Sequence, residues 1–158
     1  MQPQDNSYEE FLTSVEPLGL NLKSCSASLD RKSFWDLHEK KNKDAERQLF
    51  ARYSIEKVED DYFDVVTAFK MIIEDAKTKK NALRIECEFG GHFHGKAPIK
   101  ESFAKRFTES ELRIVVWPYF RQFVSDTTAR MGIPPIVIPI SIRGEERSMK
   151  TRSHKKKS

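Results

Sequence analysis

One segment, residues 117–140, restricts the fold of this chain most, because it has the pattern of a helix that ends at a glycine and two prolines. Pro118 suits the first turn of a helix, where its missing N–H would have no helical acceptor. Gly132 suits a left-handed C-cap, and Pro134 and Pro135 cannot continue a helix. A helical spacing relates the residues of the predicted buried face: Phe120, Phe123, Val124, Thr127 and Met131. The isoleucine-rich run after the prolines is too apolar to be left in water.

Upstream of this helix, alternating apolar residues predict four β-strands: residues 18–29, 49–58, 62–74 and 83–95. The third segment is apolar on both faces, which is typical of a central strand. Gly90 and Gly91 interrupt the fourth, and glycines inside a strand mark a bulge or the close approach of another backbone. Consecutive strands predict an antiparallel sheet. One long helix at residues 118–131, packed on this four-stranded sheet, gives an α+β fold.

Apolar residues also occur in the predicted connections, where polar residues would be expected. Residues 30–48 predict a long polar connection, and the spacing of Thr108 and Glu111 is that of a capping box at a helix start. The apolar residues of these connections could line a groove for the side chains of another polypeptide: Phe34, Trp35, Phe103, Phe107, Ile136 and Ile138. The alternative is that they plug the ends of the sheet.

The glycine-interrupted strand followed by the helix that ends at Gly132 resembles the SecB family of protein-export chaperones. The residues that carry the resemblance lie in these two segments: Glu86, Gly90, Gly91, Trp117, Pro118, Tyr119, Arg121, Gly132 and Pro134. The similarity extends in element order over about residues 18–140. It implies an ATP-independent chaperone, or holdase, that binds unfolded polypeptide without a cofactor. It also implies a homotetramer, a dimer of dimers, with the apolar helix residues named above at the interface between dimers.

This chain departs from the family at the surfaces that contact partners. The second helix, which forms a lid over the client groove in the family, is expected to be absent or reduced here. Carboxylates on the outer sheet face bind the zinc-containing end of the SecA motor in the family; Glu86 keeps one such position, Lys23 replaces another, and Arg84 lies beside Glu86. A mixed face attracts a cationic partner less. These departures favour a dedicated client, such as the antitoxin of a toxin–antitoxin–chaperone system, over general export through SecA.

The charge of the chain is concentrated at its C-terminal end. We expect a flexible or docking segment at residues 1–17, the SecB-like domain at 18–142 and a basic, disordered tail at 143–158. The tail holds seven Lys or Arg and two Glu, which give it a charge of +5. Because the net charge of the whole chain is +4, the remainder carries about −1. Such a tail is typical of a solvated end; the alternative is binding to nucleic acid or an acidic partner.

Other classes of protein find little support in the sequence. The chain has no run of 18 apolar residues and no secretory signal pattern at its start, so we expect a cytoplasmic protein without a membrane span. Cys25 and Cys87 are expected to be free thiols. Motifs of nucleophilic catalysis are missing, which argues against an enzyme. His92 and His94 form a pair of surface imidazoles; the alternative, a metal site with Cys87, lacks a fourth ligand.

Overall fold

The computed structural model of the chain describes residues 6–140 and 146–148. The helices, in chain order, are α1 (Asn6–Ser14), α2 (Arg31–Glu39), α3 (Glu101–Ser110) and α4 (Leu112–Arg130). The strands are β1 (Val15–Leu29), β2 (Ala45–Val58), β3 (Tyr62–Asp75), β4 (Asn81–Gly95) and the short β5 (Glu146–Ser148). None of the helices in the described ranges is both long and apolar enough to cross a membrane.

The four long strands form one antiparallel sheet in the order β1–β4–β3–β2, which confirms the predicted α+β fold. The third strand in the chain, β3, is central, as its two apolar faces predicted. Residues of β5 pair in parallel with residues 49–51 at the outer edge of β2, an addition that the sequence did not predict. The sheet has an inner face, which carries the helices, and an outer face.

Helix α4 packs on the inner face through the apolar spacing that marked it in the sequence. The ring of Phe120 stacks on that of Phe69 in β3, with centroids 4.3 Å apart. Both rings are buried, and so is Val124, one helical turn further on. Burial of each such side chain stabilises the fold by about 1.5–3 kcal/mol, so this stripe holds the helix on its own sheet.

A second group of aromatic residues joins α1 and α3 to the start of β3. Tyr8 and Phe11 of α1 are buried, and the Phe11 ring lies 6.2 Å from that of Phe63. Phe103 of α3 contacts Tyr8 at 5.5 Å between centroids, and Phe107 contacts Phe63 at 5.5 Å. These contacts attach the N-terminal helix to the core at this end of the sheet.

The long helix begins earlier than predicted. It starts at Leu112, so Pro118 lies inside it and not in its first turn. Pro118 cannot donate to the Ile114 carbonyl, but both residues are exposed, which lets water bind that carbonyl. The predicted capping box is also wrong, because Thr108 is buried within α3 and its hydroxyl donates to the Ala104 carbonyl at 2.8 Å.

The predicted end of the helix is confirmed. Gly132 has a φ of +73°, and its N–H donates to the Ala129 carbonyl at 3.0 Å. The N–H of Ile133 donates to the Thr128 carbonyl at 3.3 Å, which completes a Schellman motif. The described residues that follow, up to Ile140, contain no second helix. The predicted basic tail lies outside the described residues except for the backbone of β5.

Candidate functional site

A cleft of about 520 Å³ opens between α2, β2, β3 and the chain that follows α4. We call residues 133–140 the proline segment. Residues from all these parts line the cleft: Phe34, Leu37, His38, Asn42, Ala45, Arg47, Ile73, Pro134, Pro135 and Ile136. Seven of these ten are apolar, and the other three supply an imidazole, an amide and a guanidinium. A mostly apolar lining with a few polar groups is typical of a ligand site.

Helix α2 forms one wall of the cleft and lies within the stretch that the sequence predicted as a connection. Asp30 caps it by accepting from the Ser33 N–H at 3.0 Å. That hydrogen bond, together with the Lys80 ammonium 2.9 Å away, lowers the pKa of Asp30 to about 2. Leu37 is buried beneath the helix. The cap and the buried leucine together fix the start and the orientation of this wall.

An aromatic group on α2 faces the cleft and its rim. Phe34 stacks on the His38 imidazole at 6.5 Å between ring centroids, and both residues line the cleft. Trp35 meets both rings edge-on, at 5.6 Å and 5.3 Å, and is 38% exposed. The tryptophan is therefore positioned beside the cleft, where its ring can contact a bound chain.

The proline segment forms the opposite wall, and side chains of α4 hold its backbone. The Ile136 N–H donates to the Thr128 hydroxyl at 3.0 Å. Arg121 Nε donates to the Ile138 carbonyl at 2.7 Å, and Trp117 Nε1 donates to the Pro139 carbonyl at 3.0 Å. The tryptophan and arginine that carried the family resemblance thus fix the course of this segment.

One residue links the two walls. Arg31, in the first turn of α2, donates from Nη2 to the Met131 carbonyl at the end of α4, at 2.5 Å. The same guanidinium lies beside Gly132, where an added Cβ would be 3.6 Å from Nη2. Since a cation is favourable at a helix C-terminus, this contact sets α2 beside the proline segment and defines the width of the cleft.

The structure brings together part of the predicted groove. Phe34 and Ile136 line the cleft, and Trp35 is next to it. Phe107 and Ile138 are buried in the core, and Phe103 packs on α1 near the start of β3, whereas the cleft is near its end. The remaining lining residues were missed, although the Asp30 cap and the helical spacing of the α2 residues would have predicted one wall.

The outer sheet face carries the predicted docking residues, each in an ion pair. Lys23 Nζ lies 3.0 Å from a carboxylate oxygen of Glu56, and Arg84 Nη2 lies 2.7 Å from one of Glu86. Gly90 lies beneath the Lys23 stem: an added Cβ there would be 2.9 Å from the lysine Cδ. Exposed pairs of this kind contribute about 0–1 kcal/mol each, so they matter more for the surface charge than for stability.

The predicted oligomer helix presents other residues to solvent than those expected. Phe120 and Val124 face the chain's own sheet and are 1% and 0% exposed. Phe123, Thr127 and Met131 are half-buried. The larger apolar residues of α4 that are exposed lie on another stripe: Ile114, Pro118 and Tyr119.

The histidines named in the sequence lie on the outer face. His92 Nδ1 is hydrogen-bonded to Asp64, and its ring is 4.9 Å from that of Tyr62. Cys87 points to the inner face, so the three side chains do not converge. Within the described residues, His, Cys, Asp and Glu form no group of three or more that could hold a metal ion.

Comparison with known proteins gives a consistent result. The family model described as preprotein translocase subunit SecB matches residues 28–141. The fold is similar to that of the Mycobacterium tuberculosis Rv1957 SecB-like chaperone, solved in complex with a ChAD peptide from the Rv1956 HigA1 antitoxin. That match has a TM-score of 0.69 and 18% identity, and covers 84% of this chain and 94% of the other.

A second structure, a protein of unknown function from Streptococcus agalactiae, matches with a TM-score of 0.48 and 9% identity, over 79% of this chain and 96% of that one. No curated protein sequence matches this chain.

Proposed function

We propose that this chain, which belongs to the SecB family, is an ATP-independent holdase that binds non-native polypeptide in the cleft between α2 and the proline segment. The family is one of chaperones and not of enzymes. The observation that carries the proposal is the cleft itself. It has a volume of about 520 Å³ and a mostly apolar lining, and the partly exposed Trp35 lies beside it. Extended segments with apolar side chains fit such a surface.

The size of the cleft implies weak binding at each site. Two apolar client side chains would contribute about 3–6 kcal/mol on burial, which corresponds to a dissociation constant between about 6 mM and 40 µM. Ordering of the client on binding lowers the affinity further. Tight holding therefore requires that one client occupy the clefts of several subunits, because linked sites raise the effective concentration.

For this reason we propose a homotetramer. We also propose that the protein is cytoplasmic. The stripe of Ile114, Pro118 and Tyr119 on α4 is the proposed helix interface, since Tyr119 is 51% and Ile114 66% exposed. This assignment replaces Phe120 and Val124, whose burial in their own subunit leaves them no surface for a partner.

We further propose a dedicated client, such as an antitoxin segment. Support comes from the similarity in fold to a SecB-like chaperone that holds an antitoxin peptide. In addition, residues 131–140, which directly follow α4, contain no helix that could form a lid over the cleft. An open cleft releases general clients quickly, because affinity differences arise mostly in the off-rate. A client matched to the cleft in sequence can still be held.

The alternative is general export, which the description of the family model, preprotein translocase subunit SecB, favours. Titration calorimetry distinguishes the two proposals. We expect weak or no binding to the zinc-containing segment of the SecA motor, and one partner bound far more tightly than a panel of unfolded precursors. Tight binding to the motor segment, with similar affinities across precursors, would favour export.

Holdase activity is tested by the suppression of aggregation of a chemically denatured model protein without nucleotide. Two neighbouring residues supply a matched pair: Ile136 lines the cleft, whereas Val137 is 70% exposed and does not. We expect Ile136→Asp to abolish suppression and Val137→Asp to retain it, with circular dichroism as the check on folding. Equal activity of both variants, together with full activity of Trp35→Ala, would contradict the proposed site.

A further inference from the structure

The two cysteines of the chain face each other across neighbouring strands. In the antiparallel pairing of β1 with β4, Cys25 is directly opposite Cys87, within a continuous register from Ser24↔Glu88 to Leu29↔Leu83. Directly opposed residues point to the same face and have Cα atoms about 4.5 or 5.5 Å apart. Both separations lie within the range of about 4.4–6.8 Å seen in disulfides. A bond between these cysteines therefore needs little movement of the backbone.

The surroundings of the two thiols differ. Cys87 is buried in the core at 3% exposure, whereas Cys25 is exposed on the edge strand. Burial, with smaller contributions from Cys25 and Glu88, raises the pKa of Cys87 to about 12. Because the thiolate is the nucleophile, the accessible Cys25 reacts first with an oxidant in solution.

We infer that Cys25 and Cys87 form a reversible cross-strand disulfide when the protein meets a low-molecular-weight disulfide such as oxidised glutathione. Cys25 and Cys87 are thus a redox modification site, and not merely two independent thiols. The inference does not depend on the proposed chaperone function.

The reaction proceeds by two exchange steps. The Cys25 thiolate attacks one sulfur of oxidised glutathione, whose S–S bond breaks and releases one glutathione thiolate. Cys87 then loses its proton and attacks the Cys25 sulfur, and the second glutathione leaves. In sum, two protein thiols lose two electrons and two protons, and one glutathione disulfide is reduced to two thiols. Reduced glutathione or a dithiol reverses both steps.

The bond has a structural consequence that can be measured. It joins edge strand β1 to β4 and closes a loop that contains α2, β2 and β3. Closing a loop of this length restricts the unfolded chain. We expect the thermal midpoint of unfolding to rise by roughly 5–10 °C in the oxidised form.

The full-length protein is incubated with mixtures of reduced and oxidised glutathione, quenched by alkylation and analysed by mass spectrometry before and after denaturation. We expect a single chain that is not covalently linked to another and is lighter by two hydrogens, with the peptides of Cys25 and Cys87 linked. Cys87→Ala should stop at a glutathione adduct on Cys25, and Cys25→Ser should not react in the native state.

Three results would overturn the inference. The first is a stable glutathione adduct on Cys25 in the wild type with Cys87 still free. The second is a disulfide between the Cys25 residues of two chains. The third is formation of the internal bond only in denaturant. Cys25→Ser changes an exposed residue, so it keeps the test valid even where Cys87→Ala fails to fold.

Discussion

We predict that the hydroxyl of Thr128 fixes the position of the proline segment, which forms one wall of the cleft. Thr128 is 0% exposed; its Oγ1 donates to the Val124 carbonyl at 2.8 Å and accepts from the Ile136 N–H at 3.0 Å. Thr128→Val keeps the shape of the side chain but removes the acceptor. The Ile136 N–H then lacks its partner, and the wall of the cleft loses one of its attachments to α4.

The cost can be estimated from these contacts. A buried N–H without a partner costs about 1–3 kcal/mol, and the added methyl group returns about 0.8 kcal/mol. Because this contact is half-buried, we expect Thr128→Val to lower the free energy of unfolding by about 1 kcal/mol, and by at most about 2 kcal/mol. At a dependence on urea of about 2 kcal/mol per M, the middle of the usual range, the midpoint should fall by roughly 0.5 M and by at most about 1 M.

Thr128→Ser is the matched control. It keeps the hydroxyl and loses a methyl group, at a cost of about 1 kcal/mol, so its stability should resemble that of Thr128→Val. Binding of an unfolded protein, such as reduced and carboxymethylated α-lactalbumin, is then measured by titration calorimetry. We expect the valine variant to bind about three- to tenfold more weakly, which is about 0.7–1.4 kcal/mol, and the serine variant to bind normally. Equal loss of affinity in both variants would refute the positioning role.

Three further predictions concern the cap, the helix end and the interface. Gly132→Ala should destabilise the protein by about 1–2 kcal/mol in urea unfolding, because the residue has a φ of +73°. Gly19→Ala should be nearly neutral, because an added Cβ there would make an ordinary contact, 3.5 Å from Asn21 Oδ1. The pKa of Asp30 is lowered to about 2, so its contribution to stability is present above pH about 4 and is lost as the pH falls towards 2. The thermal midpoint of Asp30→Asn should therefore change less with pH over this range than that of the wild type. Tyr119→Lys should reduce the mass seen by light scattering, while Val137→Lys should not; unchanged mass in both would exclude the α4 stripe as the interface.

The sequence predicted those parts of the fold that depend on local patterns. Residues 62–74 were identified as a central strand because apolar residues occupy both faces of the segment, and a central strand is covered on both sides. The end of α4 was predicted because Gly132 and Pro134 act within a few residues of each other, through backbone conformation. Neither inference required knowledge of a distant contact.

Helix α2 was missed because distant contacts stabilise it. Its sequence is polar, and short helices are marginal without packing. The packing comes from the buried Leu37 and from the hydrogen bond of Arg31 to Met131, 100 residues further along the chain. The cleft was incompletely predicted for the same reason, since its walls come from three parts of the sequence.

The aromatic residues in the connections show a second limit. Phe34 and Phe107 are alike in sequence, as apolar residues in stretches outside the strands. Phe107 is buried because it meets the rings of Phe11, Phe63 and Phe93, whereas Phe34 borders open space. The difference depends on whether another element, here α1, covers the site, and periodicity carries no information on that.

The outer sheet face connects the glycines of the sequence motif to the choice of partner. Because Gly90 has no side chain, the Lys23 stem crosses above it and reaches Glu56 on β2. The lysine thus carries a positive charge from the edge strand across the sheet, where it neutralises a carboxylate. A Cβ at position 90 would lie 2.9 Å from the lysine Cδ, so a larger residue there would displace this stem.

The same pairing recurs across this face. Arg84 lies beside Glu86 and Arg52 Nη2 is 3.7 Å from Glu88. A cationic motor segment is attracted by uncompensated carboxylates within about 8 Å, the screening length at physiological salt, and here each of these carboxylates has a cation much closer. The cleft on the other side of the sheet involves none of these pairs. The proposed binding of a client in the cleft therefore does not depend on the charges of the outer face. This separation of the two surfaces is the physical argument for the proposed dedicated client, because a face with paired charges attracts a cationic motor segment weakly.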